Sequence, residues 1–145
     1  MTINYTILDD PQLVLVAWDG LVSWDQWRAH GQRMLGDPAF RAARLQLTDL
    51  RSASLDESIN EAALGALRDY LAAQPPPTSQ KKIAIVPDTA WEQAKLVEKI
   101  IASLGARPLV FASLSTACTW LGVDTAEVAM QLERLKAQMR GAAPQ

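Results

Sequence analysis

The chain has 145 residues, a length typical of one domain and sufficient to bury a hydrophobic core. Its composition, 49% hydrophobic and 21% charged, is that of a globular protein and argues against intrinsic disorder. The formal net charge is −2, and the Lys and Arg residues are dispersed along the chain. We therefore expect no nucleic-acid-binding surface and no surface for anionic membranes.

The N-terminal residues and the cysteine content favour a cytoplasmic protein. Residues 1–5 lack the basic stretch and long apolar run of a signal peptide, and no apolar segment is long enough to cross a membrane. The single cysteine, Cys118, excludes an internal disulfide and a cysteine-based zinc site. We expect it to be a buried hydrophobic residue, and we expect no integral membrane association.

The first 35 residues predict a hairpin followed by a helix. Alternation of apolar and polar residues over 3–7 indicates a half-buried strand, and the apolar run 13–18 indicates a central strand. Asp9-Asp10-Pro11 predicts a short turn between them, so the two strands are expected to pair antiparallel. Ser23 and Gln26 form a capping-box pattern that starts a helix, which ends at 36–38.

The rest of the chain alternates strands with helices. Strands are predicted at 45–49, 83–86 and 109–111, and capping-box patterns at Ser54/Glu57 and Thr89/Glu92 predict helix starts. Pro75-Pro76-Pro77 predicts a loop. A short helix is expected through Ala117 and ends at Gly122. Asp124 and Glu127 form a further capping pattern, which predicts a last helix at 124–140. This order predicts one α/β domain over 1–145, with a core at 3–122. Its five-stranded mixed sheet is expected to carry helices on it and an extra C-terminal helix.

The sequence contains no strong pattern of catalytic or metal-binding residues. Asp19, Asp49 and Asp88 are predicted to lie at the carboxyl ends of strands, where they could hold magnesium, but turn formation and helix capping explain them more simply. The only histidine, His30, lies on a helix and is expected to be a satisfied structural residue. With no glycine-rich phosphate loop either, we expect no catalytic residue, no metal site, no cofactor and no enzyme activity.

Tryptophan is unusually abundant, with five residues in the chain. Such side chains at helical spacing most often belong to the core, but they also line apolar ligand pockets. Trp24, Trp27 and Trp91 are the candidates for such a pocket. The apolar stripe of the last helix packs either on the domain itself or on a second copy. Because this helix follows the completed sheet, we expect a homodimer.

Several short segments between Tyr5 and Gly122 carry a family resemblance. They are residues 5–7 and 13–16 of the hairpin, 20–27 at the first helix, Leu47-Thr48-Asp49-Leu50-Arg51, residues 82–86, and Val110-Phe111 with residues 117–122. Together they resemble the bacterial SpoIIAA-like group of STAS-type small domains. The resemblance implies a five-stranded STAS-like sheet and a non-enzymatic module that contacts a regulatory protein, an apolar ligand or a membrane.

In the regulatory branch of that family, a serine after the third strand is phosphorylated. The corresponding candidates for a binding site here are Asp49, Arg51, Ser52, Ser54, Asp56 and Ser58. The Asp-Ser-Ser-Gly pattern of that branch is missing, because Asp56 is followed by Glu57. Two hypotheses result: a protein-contact module acting through this segment, or a carrier of a small apolar or lipid-like ligand.

Overall fold

The computed structural model describes residues 1–9, 12–74 and 81–141. The predicted loop at 75–77 and most of the turn predicted at 9–11 lie outside these residues. Within them, the strands are β1 (Ile3–Leu8), β2 (Leu13–Val22), β3 (Leu45–Leu55), β4 (Lys82–Pro87) and β5 (Arg107–Val110). The helices are α1 (Trp24–Leu35), α2 (Pro38–Ala42), α3 (Glu61–Ala72), α4 (Trp91–Ser103), α5 (Leu114–Leu121) and α6 (Thr125–Gly141).

The five strands form one mixed sheet in the order β1-β2-β3-β4-β5. β1 pairs antiparallel with β2, with Tyr5 opposite Val16, and the other neighbouring strands pair in parallel. Residues 13–18 of β2 are buried, as expected of a strand covered on both faces. The predicted α/β class, the five-stranded mixed sheet and its opening hairpin are confirmed.

Helices cover both faces of the sheet. One buried cluster brings Met34 of α1, Leu64 of α3 and Ala94 of α4 against the sheet. The other brings Leu132 of α6 against Leu15 of β2, together with residues of α5. The stripe of α6 is therefore buried on its own domain, which settles the choice that the sequence left open for this helix.

Two helix starts are capped as predicted. The Gln26 backbone N–H donates to Ser23 Oγ over 3.3 Å, and the Ser23 N–H donates to Gln26 Oε1 over 2.9 Å, which completes the capping box of α1. At α6, the Glu127 N–H donates to Asp124 Oδ2 over 2.9 Å. At these two boundaries the local capping pattern correctly predicts the start of the helix.

Other predicted boundaries were wrong. Ser54 does not cap a helix, because β3 continues to Leu55; α3 instead begins after Asn60, whose side chain accepts from the Ala63 N–H. No side chain caps α4, which begins after Ala90 rather than Thr89. The short helix α2, with Asp37 as its N-cap and Pro38 in its first turn, was not predicted.

A β-bulge in β3 determines which residues face each helical layer. Ala17 pairs with Asp49 and Asp19 with Ser52, so β3 contains one extra residue over this stretch. Leu50 packs in the cluster under α1–α4, whereas Asp49 contacts α6. Asp49 and Asp19 consequently lie within extended strands and not at strand ends.

Candidate functional site

Three of the five tryptophans form a continuous row, which we call the tryptophan row. Trp18 of β2 meets Trp27 of α1 edge to face, with ring centroids 5.2 Å apart, and Trp27 meets Trp24 in the same manner at 5.5 Å. Trp24 and Trp27 are three residues apart and so share one face of α1. Trp18 points to the same layer from the sheet below, and the row thus runs from the sheet to the surface.

A cleft of about 250 Å³ opens beside the outer part of this row, and we call it the outer cleft. Trp24, Trp27 and Gly31 of α1 form one wall, and Leu67 and Tyr70 of α3 form the opposite wall. Its lining is mostly apolar. The cleft is larger than the cavity of about 150 Å³ that suffices to bind benzene in an engineered protein.

A smaller cavity of about 90 Å³, the inner cavity, lies between the sheet and α4. Trp18 of β2, with Gln46 and Thr48 of β3, belongs to its lining. The inner cavity and the outer cleft share three lining residues, Trp27, Met34 and Ile101, and are therefore neighbours.

The polar groups at the inner cavity are connected to a buried lysine. Gln46 Nε2 donates to Thr48 Oγ1 over 3.1 Å, and Lys81 Nζ donates to Gln46 Oε1 over 3.4 Å and to the Phe40 carbonyl over 2.8 Å. Burial lowers the pKa of Lys81 to about 8. Among the described residues its ammonium bonds only to uncharged oxygens, so it orients Gln46 without a carboxylate partner.

The predicted pocket residues separate into two groups. Trp24 and Trp27 line the outer cleft, whereas Trp91, 37% exposed, lines neither this cleft nor the inner cavity. Sequence reasoning missed Trp18 and Tyr70. Trp18 could have been selected, because it ends the apolar run of β2 on the same sheet face as Val14 and Val16.

Part of the predicted binding segment forms a buried charged cluster on the opposite face of the sheet. Asp49 is fully buried; its Oδ1 lies 2.9 Å from Arg51 Nε and its Oδ2 lies 2.8 Å from Lys136 Nζ. Burial alone would raise the pKa of Asp49, but hydrogen bonds from Arg51 and Lys136 hold it below its usual value. Lys136 also donates to Ser52 Oγ over 2.9 Å. Asp49 and Ser52 thus attach α6 to the sheet through Lys136, and Arg51 pairs with Asp49 beside this contact.

The remaining members of that segment lie elsewhere. Ser58 Oγ accepts a hydrogen bond of 3.0 Å from the Trp24 backbone N–H, and the Ser58 N–H donates to Asp56 over 2.7 Å. Ser54 is exposed on β3. The six predicted residues therefore do not converge on one site: one group supports α6, and Asp56 with Ser58 supports the start of α1.

Two of the three acidic residues considered for magnesium are paired with cations, and the third, Asp88, is exposed and directly follows β4. Asp19 receives two hydrogen bonds from Arg140, of 2.8 and 2.7 Å, and Asp49 is paired as described above. Within residues 1–9, 12–74 and 81–141, no group of three His, Cys, Asp or Glu side chains is arranged to hold a metal ion.

His30 differs from the satisfied histidine that the sequence predicted. Its Nδ1 is buried and has no hydrogen-bond partner in the described part of the chain. Burial, followed by the positive charge of Arg33, lowers its pKa. Both effects favour the neutral imidazole on α1.

No described helix is both long and apolar enough to cross a membrane. No protein-family model matches the sequence, and a search of the curated proteins found no match. The likeness to the SpoIIAA-like group therefore remains a prediction, and the geometry of the outer cleft carries the functional argument.

Proposed function

We propose that this domain is a non-enzymatic carrier of a small, predominantly apolar molecule, which it binds in the outer cleft. The observation that carries the proposal is the cleft itself, about 250 Å³ with Trp24 and Trp27 in its wall. Protein interiors are close-packed and contain few voids larger than a water molecule. Small-ligand pockets are typically concave and lined by apolar and aromatic side chains, as the outer cleft is.

Gly31 supports this interpretation. It lies in the middle of α1, where glycine costs about 1 kcal/mol relative to alanine. A Cβ atom placed on Gly31 would meet no heavy atom within 4 Å, so packing does not demand glycine at this position. Because Gly31 lines the outer cleft, the missing side chain leaves room for a ligand.

The mouth of the cleft suits an apolar molecule of moderate size. Tyr70 is 38% exposed and Arg28 lies at the rim, so a ligand can enter from solvent between α1 and α3. Arg28 is paired with Asp25 at 3.1 Å, which reduces its attraction for an anionic ligand. Binding is therefore expected to depend on burial of apolar surface and contact with aromatic rings.

Titration with butylbenzene tests this function. We expect a saturable change in tryptophan fluorescence and a rise in melting temperature, because a ligand at 100 times its Kd stabilises the folded state by about 2.7 kcal/mol. The Trp91→Phe variant is the control and should respond as the parent does, since Trp91 lies outside the outer cleft. A fluorescence change that never saturates, with an unchanged melting temperature, would contradict the proposal.

A second candidate function, protein contact through residues 49–58, is supported by one connection. Ser58 accepts the hydrogen bond of the Trp24 N–H at the start of α1, and Trp24 lines the outer cleft. A partner bound at the exposed residues Ser54 and Glu57 would therefore lie close to the helix that holds the ligand. This arrangement agrees with the regulatory role that the STAS-like resemblance implies.

A further inference from the structure

We infer that the ligand carries an uncharged hydrogen-bond acceptor, such as a ketone or ester carbonyl, which is bound in the inner cavity by Trp18 Nε1–H and the Thr48 hydroxyl. The inference rests on the proposed function, because it assigns a polar end to the molecule whose apolar body occupies the outer cleft.

Trp18 provides the main observation. Its side chain lines the inner cavity and is 5% exposed, and its Nε1 atom is buried with no hydrogen-bond partner among the described residues. An indole N–H can only donate, and a buried donor without an acceptor is unfavourable. An oxygen in the inner cavity would satisfy it.

The neighbouring polar groups also offer donors. Gln46 Oε1 already accepts from Lys81, and Gln46 Nε2 donates to Thr48 Oγ1. The Thr48 oxygen thus already accepts one hydrogen bond, and its O–H proton is available to donate to an oxygen in the inner cavity. Together, Trp18 and Thr48 give the lining two donors that favour a ligand with an accepting oxygen, whereas Gln93, which also belongs to the lining, carries both a donor and an acceptor.

The acceptor is inferred to be uncharged because, among the residues that the structure describes, no cationic side chain belongs to the lining of the inner cavity. The nearest cation in this network, Lys81, bonds to the Phe40 carbonyl and to Gln46. A carboxylate would have to lose its water without a cation beside it, which is strongly unfavourable. A carbonyl loses much less hydration and gains the two hydrogen bonds.

The size of the ligand is set by the shared lining. Trp27, Met34 and Ile101 border both the outer cleft and the inner cavity, so the two spaces are neighbours. The inferred ligand therefore has to pass between these three side chains to place its apolar group in the first space and its carbonyl in the second. Such a molecule carries a short chain of a few bonds between its carbonyl oxygen and the ring or branched group at its other end.

Three probes of matched size test this inference by calorimetry: butylbenzene, 4-phenylbutan-2-one and 3-phenylpropanoate. In the Trp18→Phe variant, which keeps an aromatic ring but loses the N–H, the ketone should bind about five- to tenfold more weakly, the effect of one lost hydrogen bond. Butylbenzene should change by less than twofold. The carboxylate should bind at least tenfold more weakly than the ketone to the parent protein.

A second measurement needs no variant. In the parent protein, the Trp18 indole proton resonance should move downfield with the ketone and not with butylbenzene. Equal weakening of ketone and butylbenzene by Trp18→Phe with no such shift, or tightest binding by the carboxylate, would overturn the inference and leave the proposed function intact. A water molecule that satisfies Trp18 in place of a ligand would give the first of these results. If none of the three probes binds, the proposed function itself fails.

Discussion

Replacing Lys136 with methionine is expected to lower the free energy of unfolding by about 3 kcal/mol, as measured by urea denaturation at pH 7. Lys136 is 2% exposed, and its Nζ contacts both Asp49 and Ser52. Methionine preserves most of the side-chain volume but leaves the fully buried Asp49 carboxylate with Arg51 as its one remaining cationic partner in the described part of the chain. The loss is large because the desolvation of the buried carboxylate is then only partly compensated, by one cation in place of two.

Arg140→Met is the matched control on the same helix. Arg140 also pairs with an aspartate, Asp19, but its side chain is 57% exposed, so we expect a much smaller loss than for Lys136→Met. The double variant Asp49→Asn/Lys136→Met should recover part of the stability, because the buried carboxylate has been removed. If Lys136→Met is as mild as Arg140→Met, Asp49 is not held by the charge of α6.

Gly31→Leu is expected to abolish saturable butylbenzene binding, or to weaken it at least tenfold, without destabilising the domain. The leucine side chain would project into the outer cleft, where a Cβ meets no atom within 4 Å, and would occupy the volume that the ligand needs. Leucine also favours the helix over glycine, by up to about 1 kcal/mol. Calorimetry and urea denaturation measure the two effects separately.

Gly65→Leu provides the control for this variant. Gly65 is a helical glycine of α3 whose added Cβ likewise meets no atom within 4 Å, but it does not line the outer cleft. It should gain helix stability and keep its affinity for butylbenzene. Undiminished binding by Gly31→Leu would show that the ligand binds elsewhere.

The architecture could be predicted from sequence because its signals are local. Alternation over residues 3–7 and the apolar run 13–18 determine which faces are buried, and the Ser23/Gln26 box fixes the start of α1. The boundary after β3 could not be predicted in this way. Ser54 has the local pattern of an N-cap, but pairing with β2 continues to Leu55, and such pairing is a long-range interaction that a capping pattern does not report.

The candidate site was predictable only in part, for a similar reason. Helical spacing correctly placed Trp24 and Trp27 on one face, but Trp18 joins them from a strand, and Trp91 has the same local appearance as the residues that line the outer cleft. From the sequence, Asp49 was predicted to lie at the end of a strand. In the structure it lies within β3, next to the bulge, and its partner Lys136 is 87 residues later in the sequence. Contacts between segments that are distant in sequence therefore determine both the lining of the outer cleft and the partners of Asp49.

Assigned indole N–H resonances of the five tryptophans, followed during a butylbenzene titration, test ligand binding in the outer cleft most directly. Trp24 and Trp27 line this cleft, whereas Trp120 packs against Phe111 in the other helical layer and serves as an internal control. The proposed function predicts saturable shifts for Trp24 and Trp27 with one common Kd, and no shift for Trp120. Unmoved Trp24 and Trp27 resonances, or a Trp120 shift of equal size, would contradict it.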